Sequence, residues 1–249
     1  MKNDFDFQSG EILCFNKPLS WTSFNLVNLV KLIVKKKVGA KVKVGHAGTL
    51  DPLATGVLII CTGKKTKEIE SLQQLGKTYT GTIYIGATTP CFDLEKPIDK
   101  TYPVEHISDE LIQEKAQTFV GSIEQIPPIF SAAWVDGKRA YDLAREGKDV
   151  ELRPRTIQIE EFTISNIIRN EDHILVDFKI RCSKGTYIRS LARDLGIALN
   201  SGAHLTALCR TEIGPYSISN SLSPDQFREI MGIPIPMGER RQEITPVLK

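Results

Sequence analysis

From Ile12 to Leu50 the chain contains no Asp and no Glu, while the same stretch holds seven lysines. Such an absence of one sign argues against a salt-bridged surface there and favours a face that meets a polyanion. Other scarcities narrow the class. The five cysteines (Cys14, Cys61, Cys91, Cys182 and Cys209) are odd in number and include no CxxC pair. That excludes a zinc knuckle and a disulfide framework and points to reduced thiols in the cytosol. The histidines, His46, His106, His173 and His204, lie far apart with no ligand spacing, so no metal site is expected. The longest apolar stretches, Val57–Cys61 and Leu26–Val34, are too short or too interrupted to span a bilayer. The N-terminal MKNDFDFQSG is polar and acidic, without the marks of a secretory signal. A soluble, cytoplasmic protein is the expectation.

What is present supports a sizeable core: 249 residues, 41% of them apolar. Glu11–Asn16 reads as a short strand. Thr22 or Ser23 caps a helix running to about Lys37 with Val27, Val30 and Val34 buried. Gly56–Thr62 reads as a buried strand and Lys65–Leu75 as a helix closed by Gly76. Lys77–Ala87 alternates, placing Tyr79, Gly81, Ile83 and Ile85 on one face. Ser108 or Asp109 opens a helix ending near Gly121. Thr156–Ile168 and His173–Cys182 form a strand pair, Ile188–Leu199 a helix, Ala203–Thr211 a last strand, and Ser223-Pro224 starts a capped helix. Strands and helices mix, with an antiparallel pair, so the fold class is α+β or mixed α/β in one domain.

Four blocks carry chemistry. In GHAGTLDPLATGVL, the single acid Asp51 ends the acid-free run inside a loop of glycines and threonines. Asp-Pro is an ordinary turn dipeptide, so Asp51 taken alone reads first as a turn residue. KTYTGTIYIGATT holds Tyr79, and CSKGTYIRSLARDLG holds Tyr187 and Arg189. A cation at a helix N-terminus opposes the dipole, so Arg189 needs an anionic partner to explain it. QIPPIFSAAWVDGKRAYDLAREG supplies Lys138, Arg139 and Arg145.

In this order and spacing, over roughly residues 10–214, the blocks resemble the TruB-type tRNA pseudouridine synthases. The resemblance implies one catalytic domain, residues 1–214, with a mixed, largely antiparallel sheet and a thumb-like insertion at about 127–150. It implies isomerisation of the T-loop uridine, position 55 of tRNA, to pseudouridine after base flipping, with no cofactor and no metal. Asp51 corresponds to the nucleophile, Arg189 to its partner, and Tyr79 to the residue that stacks on the flipped ring and is a candidate for removing the C5 proton. His46, Tyr187, Leu208 and Lys17 correspond to substrate-binding positions. Lys64 and Lys65, with Lys138, Arg139 and Arg145, are the expected RNA-backbone contacts. The expected partner is the tRNA T-arm, bound by a monomer without an obligatory protein partner.

The chain departs from the family in three places. Ser20 stands where KPxGxTS usually has Gly. Trp134 replaces the Lys of SAxK. Residues 215–249 form a short extension, too short for a complete PUA domain. Three rivals stay open: a catalytic subunit of an RNA-guided synthase, a non-catalytic tRNA-folding chaperone, and a nucleoside glycosidase. The last generally requires a second placed carboxylate, and within the blocks only Asp194 is available.

Overall fold

The computed structural model describes residues 5–129 and 152–234, with the backbone of residues 134–135 and 138–139. In chain order the strands are β1 (Ile12–Lys17), β2 (Val44–His46), β3 (Ala54–Thr62), β4 (Lys77–Ile85), β5 (Ala87–Thr88), β6 (Lys100–Thr101), β7 (Gly121–Gln125), β8 (Trp134–Val135), β9 (Lys138–Arg139), β10 (Arg155–Arg169), β11 (Ile174–Cys182), β12 (Ala203–Ile213) and β13 (Tyr216–Ser217). The helices are α1 (Ser23–Val38), α2 (Ile69–Gln74), α3 (Asp109–Gln117), α4 (Ile188–Ala198) and α5 (Pro224–Ile230). A main sheet runs β1-β3-β12-β4-β11-β10-β7, with β2 added to β3 and β13 to β12. Its named pairs are antiparallel except β3 with β12. This is the mixed, largely antiparallel α/β architecture expected.

Sequence signals explain the helix that borders the site. Thr22 caps α1 through a capping box: its hydroxyl accepts from the Asn25 N–H at 3.0 Å, and the Asn25 side chain accepts from the Thr22 N–H at 2.8 Å. Gly39 ends the helix in the left-handed conformation, and Lys35, Lys36 and Lys37 sit at the negative pole of the dipole. Leu26, Val27, Val30, Ile33 and Val34 are buried with Leu13, Phe15, Leu58 and Ile60. The alternate residues of β3, Val57, Ile59 and Cys61, pack on the opposite side with Leu72 and Ile213. Strand β3 is therefore covered on both faces, which is why it reads as an unbroken apolar run. A larger core lies between the β4, β11 and β10 side of the sheet and helices α3 and α4. Ile83, Val176, Phe178 and Ile180 meet Ile112, Leu191 and Leu195 there.

Several boundaries differ from the sequence reading. The stretch after β3 is a 3-10 turn, Gly63–Glu68, before α2 takes over. Strand β7 has no clear sequence signal: GSIEQ alternates too briefly to stand out, and it exists because β10 pairs with it from Arg155 to Ile159. Residues 215–234 pack against the rest of the described chain. Leu222 exchanges backbone hydrogen bonds with β1, donating to the Cys14 carbonyl and accepting from the Asn16 N–H, both at 2.9 Å. Phe227 of α5 is wholly buried, with its ring 5.3 Å from that of Phe15 and 6.4 Å from that of Phe7. Residues 235–249 and most of the 127–150 insertion, Arg145 included, lie outside the described residues. Among the described residues no helix is long and apolar enough to cross a membrane.

The departure at Ser20 has a local cost. Its φ is +65°, the left-handed region that glycine adopts freely, and its N–H donates to the Pro52 carbonyl at 2.9 Å. A side chain held there costs roughly 1 kcal/mol, partly offset because glycine loses more freedom on folding. Ser20→Gly is therefore expected to raise the unfolding free energy by about 0.5 kcal/mol, measured as a higher urea midpoint at unchanged slope. An unchanged or lower midpoint would show that the serine is not strained.

Candidate active site

The loop between β2 and β3 carries Asp51, and side chains from three directions hold it. From α1, the Ser23 hydroxyl accepts from the Leu50 N–H at 2.9 Å and donates to the Leu50 carbonyl at 3.1 Å. From the end of β1, the Lys17 ammonium donates to the carbonyls of Pro18, Trp21 and Pro52 at 2.9, 2.6 and 3.4 Å. From β12, Arg210 donates to the carbonyls of Gly48, Thr49 and Val57. The Ala54 N–H closes the turn on the Asp51 carbonyl at 3.1 Å. Asp51 thus does build an Asp-Pro turn, but the turn leaves its carboxylate facing outward, with its side chain 37% exposed.

That carboxylate meets Arg189. Nε of Arg189 lies 2.9 Å from Oδ2 of Asp51 and 3.6 Å from Oδ2 of Asp93, whose side chain is only 7% exposed. One Arg189 Nη donates to the Cys91 carbonyl at 3.2 Å. The loop around Asp93 is itself tied down. Thr89 donates to the Asp93 carbonyl at 2.7 Å, and the Glu95 N–H donates to the Asp93 carboxylate at 2.9 Å. Arg189 is the second residue of α4, so its awkward place at a helix N-terminus is answered by two carboxylates.

A cleft of about 390 Å³ opens beside the pair, lined among others by Asp51, Lys77, Tyr79, Tyr187, Arg189 and Leu208. Its size suits a small organic ring system. Tyr79 is almost wholly buried in β4; burial pushes its phenol pKa up, opposed first by the neighbouring Arg210 charge. Tyr187 immediately precedes α4, and Gln125 of β7 fixes its backbone. The Tyr187 N–H donates to Gln125 Oε1 at 2.8 Å, and Gln125 Nε2 donates to the Tyr187 carbonyl at 3.0 Å. Burial lowers Lys77 to about 8, while its ammonium donates to the carbonyls of Gln73 and Leu75.

The structure brings together Asp51, Tyr79, Tyr187, Arg189 and Leu208. Two expected positions lie elsewhere. Lys17 was expected to touch substrate, yet it is 0% exposed and its ammonium is occupied by three carbonyls beneath the Asp51 loop. It is a loop anchor; burial lowers its pKa to about 8 against the pull of Asp51. His46 sits half-buried in β2 opposite Ile60 and is not among the cleft's lining side chains. Lys64 is exposed, and Lys65 is paired with Glu68 at 2.6 Å. Lys138 and Arg139 form β9, paired with β8; their side chains and Arg145 lie outside the described residues.

Asp93, Gln125 and Arg210 are the site's additions. Asp93 had no distinguishing signal: it is the first acid after Glu70, but Glu95 follows two residues later, so it reads as the start of an acid-rich stretch. Gln125 opens the QIPPIF block but nothing there marks its role, and Arg210 sits in a plain strand; both acquire their site contacts, Tyr187 and the Asp51 loop, only through the folded chain.

A family model for the TruB family pseudouridylate synthase N-terminal domain matches residues 35–188, covering Asp51, Tyr79 and Asp93 and ending one residue before Arg189. The chain belongs to that family. It is therefore an isomerase of the pseudouridine synthase class. Over 225 residues it is 57% identical to tRNA pseudouridine synthase B of Phocaeicola vulgatus, covering 90% of this chain and 94% of that one. It is 53% identical to the Flavobacterium johnsoniae protein of the same name over 226 residues, covering 90% and 97%. Among solved structures, a chain of a Cbf5-Nop10-Gar1 complex superposes with a TM-score of 0.65 at 28% identity. The match covers 92% of this chain and 58% of that longer one.

Proposed function

We propose that this chain converts the T-loop uridine at position 55 of tRNA to pseudouridine, with Asp51 as nucleophile. The carrying observation is the 2.9 Å contact between Asp51 and Arg189 at the edge of a cleft also lined by Tyr79, Tyr187 and Leu208. In the reaction the C1′–N1 bond breaks, C1′ bonds to C5, C5 loses its proton and N1 gains one. Atoms and electrons balance without a redox partner or water. The three routes open to Asp51, addition to C6, attack at C1′ and assistance to a glycal, all need an ionised carboxylate oriented at one point beside the ring. The Arg189 guanidinium supplies that orientation and the favourable charge.

A uridine stacked in a folded T-arm must flip out to reach this carboxylate, at a cost of roughly a few kcal/mol. Stacking on Tyr79 returns about 1–3 kcal/mol. The phosphate backbone meets the exposed lysines of α1 and of the turns that follow. Lys31, Lys41 and Lys43 line one shallow depression together with Val42 and Val44. Lys64 and Lys67 extend the basic surface on the 3-10 turn. These side chains contribute salt-dependent affinity, not choice of base.

The protein works in the cytoplasm as a monomer, without a guide RNA. Its 57% and 53% identity to the two synthase B proteins, against 28% to the chain of the Cbf5 complex, supports action without a guide RNA. The test is tritium release from C5-tritiated uridine in a naked T-arm stem-loop, compared with an unstructured RNA of the same composition. Release from the stem-loop alone, with no other protein added, is the expected result. Bound stem-loop with no release would overturn the catalytic reading, and equal release from both RNAs would overturn the T-loop assignment.

A further inference from the structure

Arg210 heads the largest fully buried side chains among the described residues, at 2% exposure, yet no sequence motif marks it. In β12 it pairs with Gly56 of β3 on one side and with Tyr79 of β4 on the other. Its guanidinium donates from Nε to the Val57 carbonyl at 2.8 Å, from Nη1 to Thr49 at 3.2 Å and from Nη2 to Gly48 at 3.3 Å. None of the described carboxylates forms an ion pair with it. A buried cation with no carboxylate beside it is expensive to keep, and an apolar residue would fill the same space at lower cost. The position therefore needs a reason.

The geometry supplies one. Gly48 and Thr49 immediately precede Leu50 and Asp51, so two arms of the guanidinium grip the loop that presents the carboxylate. The backbone of the same residue is hydrogen-bonded in the strand pair that carries Tyr79. The strands come unusually close here: a Cβ on Gly56, at φ +106°, would lie 2.2 Å from the Arg210 carbonyl oxygen. The arginine side chain can therefore reach across β3 to the loop beyond. Its charge also opposes the effect of burial on the Tyr79 phenol.

We propose that Arg210 is a positioning residue for the isomerisation: it fixes the Asp51 loop to the Tyr79 strand, so that carboxylate and stacking ring keep one geometry as RNA enters. The proposal rests on the roles given above to Asp51 and Tyr79. Here each carbonyl is reached from a different nitrogen of the planar guanidinium; a lysine keeps the charge but puts all its donors on one atom, and so cannot keep that arrangement. Ser23 and Lys17 hold the loop at Leu50 and Pro52, so the loop stays folded without Arg210 but loses its grip at Gly48 and Thr49.

Arg210→Lys tests this in the full chain with two readouts. The first is amide hydrogen exchange over residues 47–54, expected to accelerate at least ~10-fold while α4 and β11 keep their protection. The second is single-turnover pseudouridine formation against T-arm affinity. The rate is expected to fall by about 10²-fold, the scale of a 1 Å misplacement, with affinity within about threefold, since Arg210 touches no phosphate. Unchanged exchange in the loop overturns the proposal, as does a parent-like rate or a rate loss matched by an equal loss of affinity. If the parent protein itself forms no pseudouridine, the proposed function fails, and the exchange readout alone still decides whether Arg210 holds the loop.

Discussion

Asp51→Asn is expected to lower the single-turnover rate of pseudouridine formation by at least ~10⁴-fold, because a neutral amide cannot act as the nucleophile. T-arm affinity should hold nearly constant. The substitution keeps the shape of the side chain, and the loop is anchored through Ser23, Lys17 and Arg210, none of which uses the carboxylate. Arg189 retains Asp93 as a charge partner, so the fold should keep its stability. Tritium release and RNA retention on a filter, measured on one preparation, separate these effects. A variant that releases tritium at the parent's rate would return Asp51 to the status of a turn residue. A variant that no longer binds RNA would mean the loop itself had changed shape.

Arg189→Met carries the second large effect, on both stability and rate. Its guanidinium is nearly buried and stands between Asp51 and an equally buried Asp93. Methionine fills much of the volume but leaves Asp93 as a buried charge without its cation. Removing one member of such a pair typically costs about 3–5 kcal/mol. The rate should fall at least ~10²-fold as well, since nothing then aims the Asp51 carboxylate. Arg189→Lys should recover part of the stability and less of the rate, because an ammonium cannot address both carboxylates and the Cys91 carbonyl in one plane. Urea melts and single-turnover rates on the two variants check this. A methionine variant as stable as the parent would overturn the reading of Arg189 and Asp93 as a buried charge pair that stabilises the fold.

How much of this was legible beforehand depended on whether a residue's role is local. The capping box at Thr22 and the alternation around Tyr79 are local signals, and both located their elements. Asp51 and Arg189 could be paired only because their flanking blocks resemble a known family; nothing in the spacing of two residues so distant in sequence requires them to meet. Asp93 escaped notice because it lies in an irregular loop outside those blocks. Lys17 was read as a substrate-binding position through the family resemblance, whereas its strand ends beneath the Asp51 loop, where three backbone carbonyls take up its ammonium. The C-terminal stretch looked like an appendage because Phe227 acquires its neighbours, Phe7 and Phe15, only when both ends of the chain come together.

The place of β12 has a consequence for how the protein is made. The strand is drawn from Ala203–Ile213 yet lies between β3 and β4, both complete by Ile85. A ribosome-bound chain that has emerged only as far as β11 already possesses Asp51 and Tyr79, but its sheet has a gap at the centre. Two strands would then present bare hydrogen-bonding edges, the kind of surface that mispairs with other chains. Arg189, Leu208 and Arg210 arrive together in the last stages of synthesis, and long-range pairing of this sort is slow to form. The site is thus assembled in a single late step. Chains cut short before Ile213 should therefore be inert and prone to aggregate, not partly active.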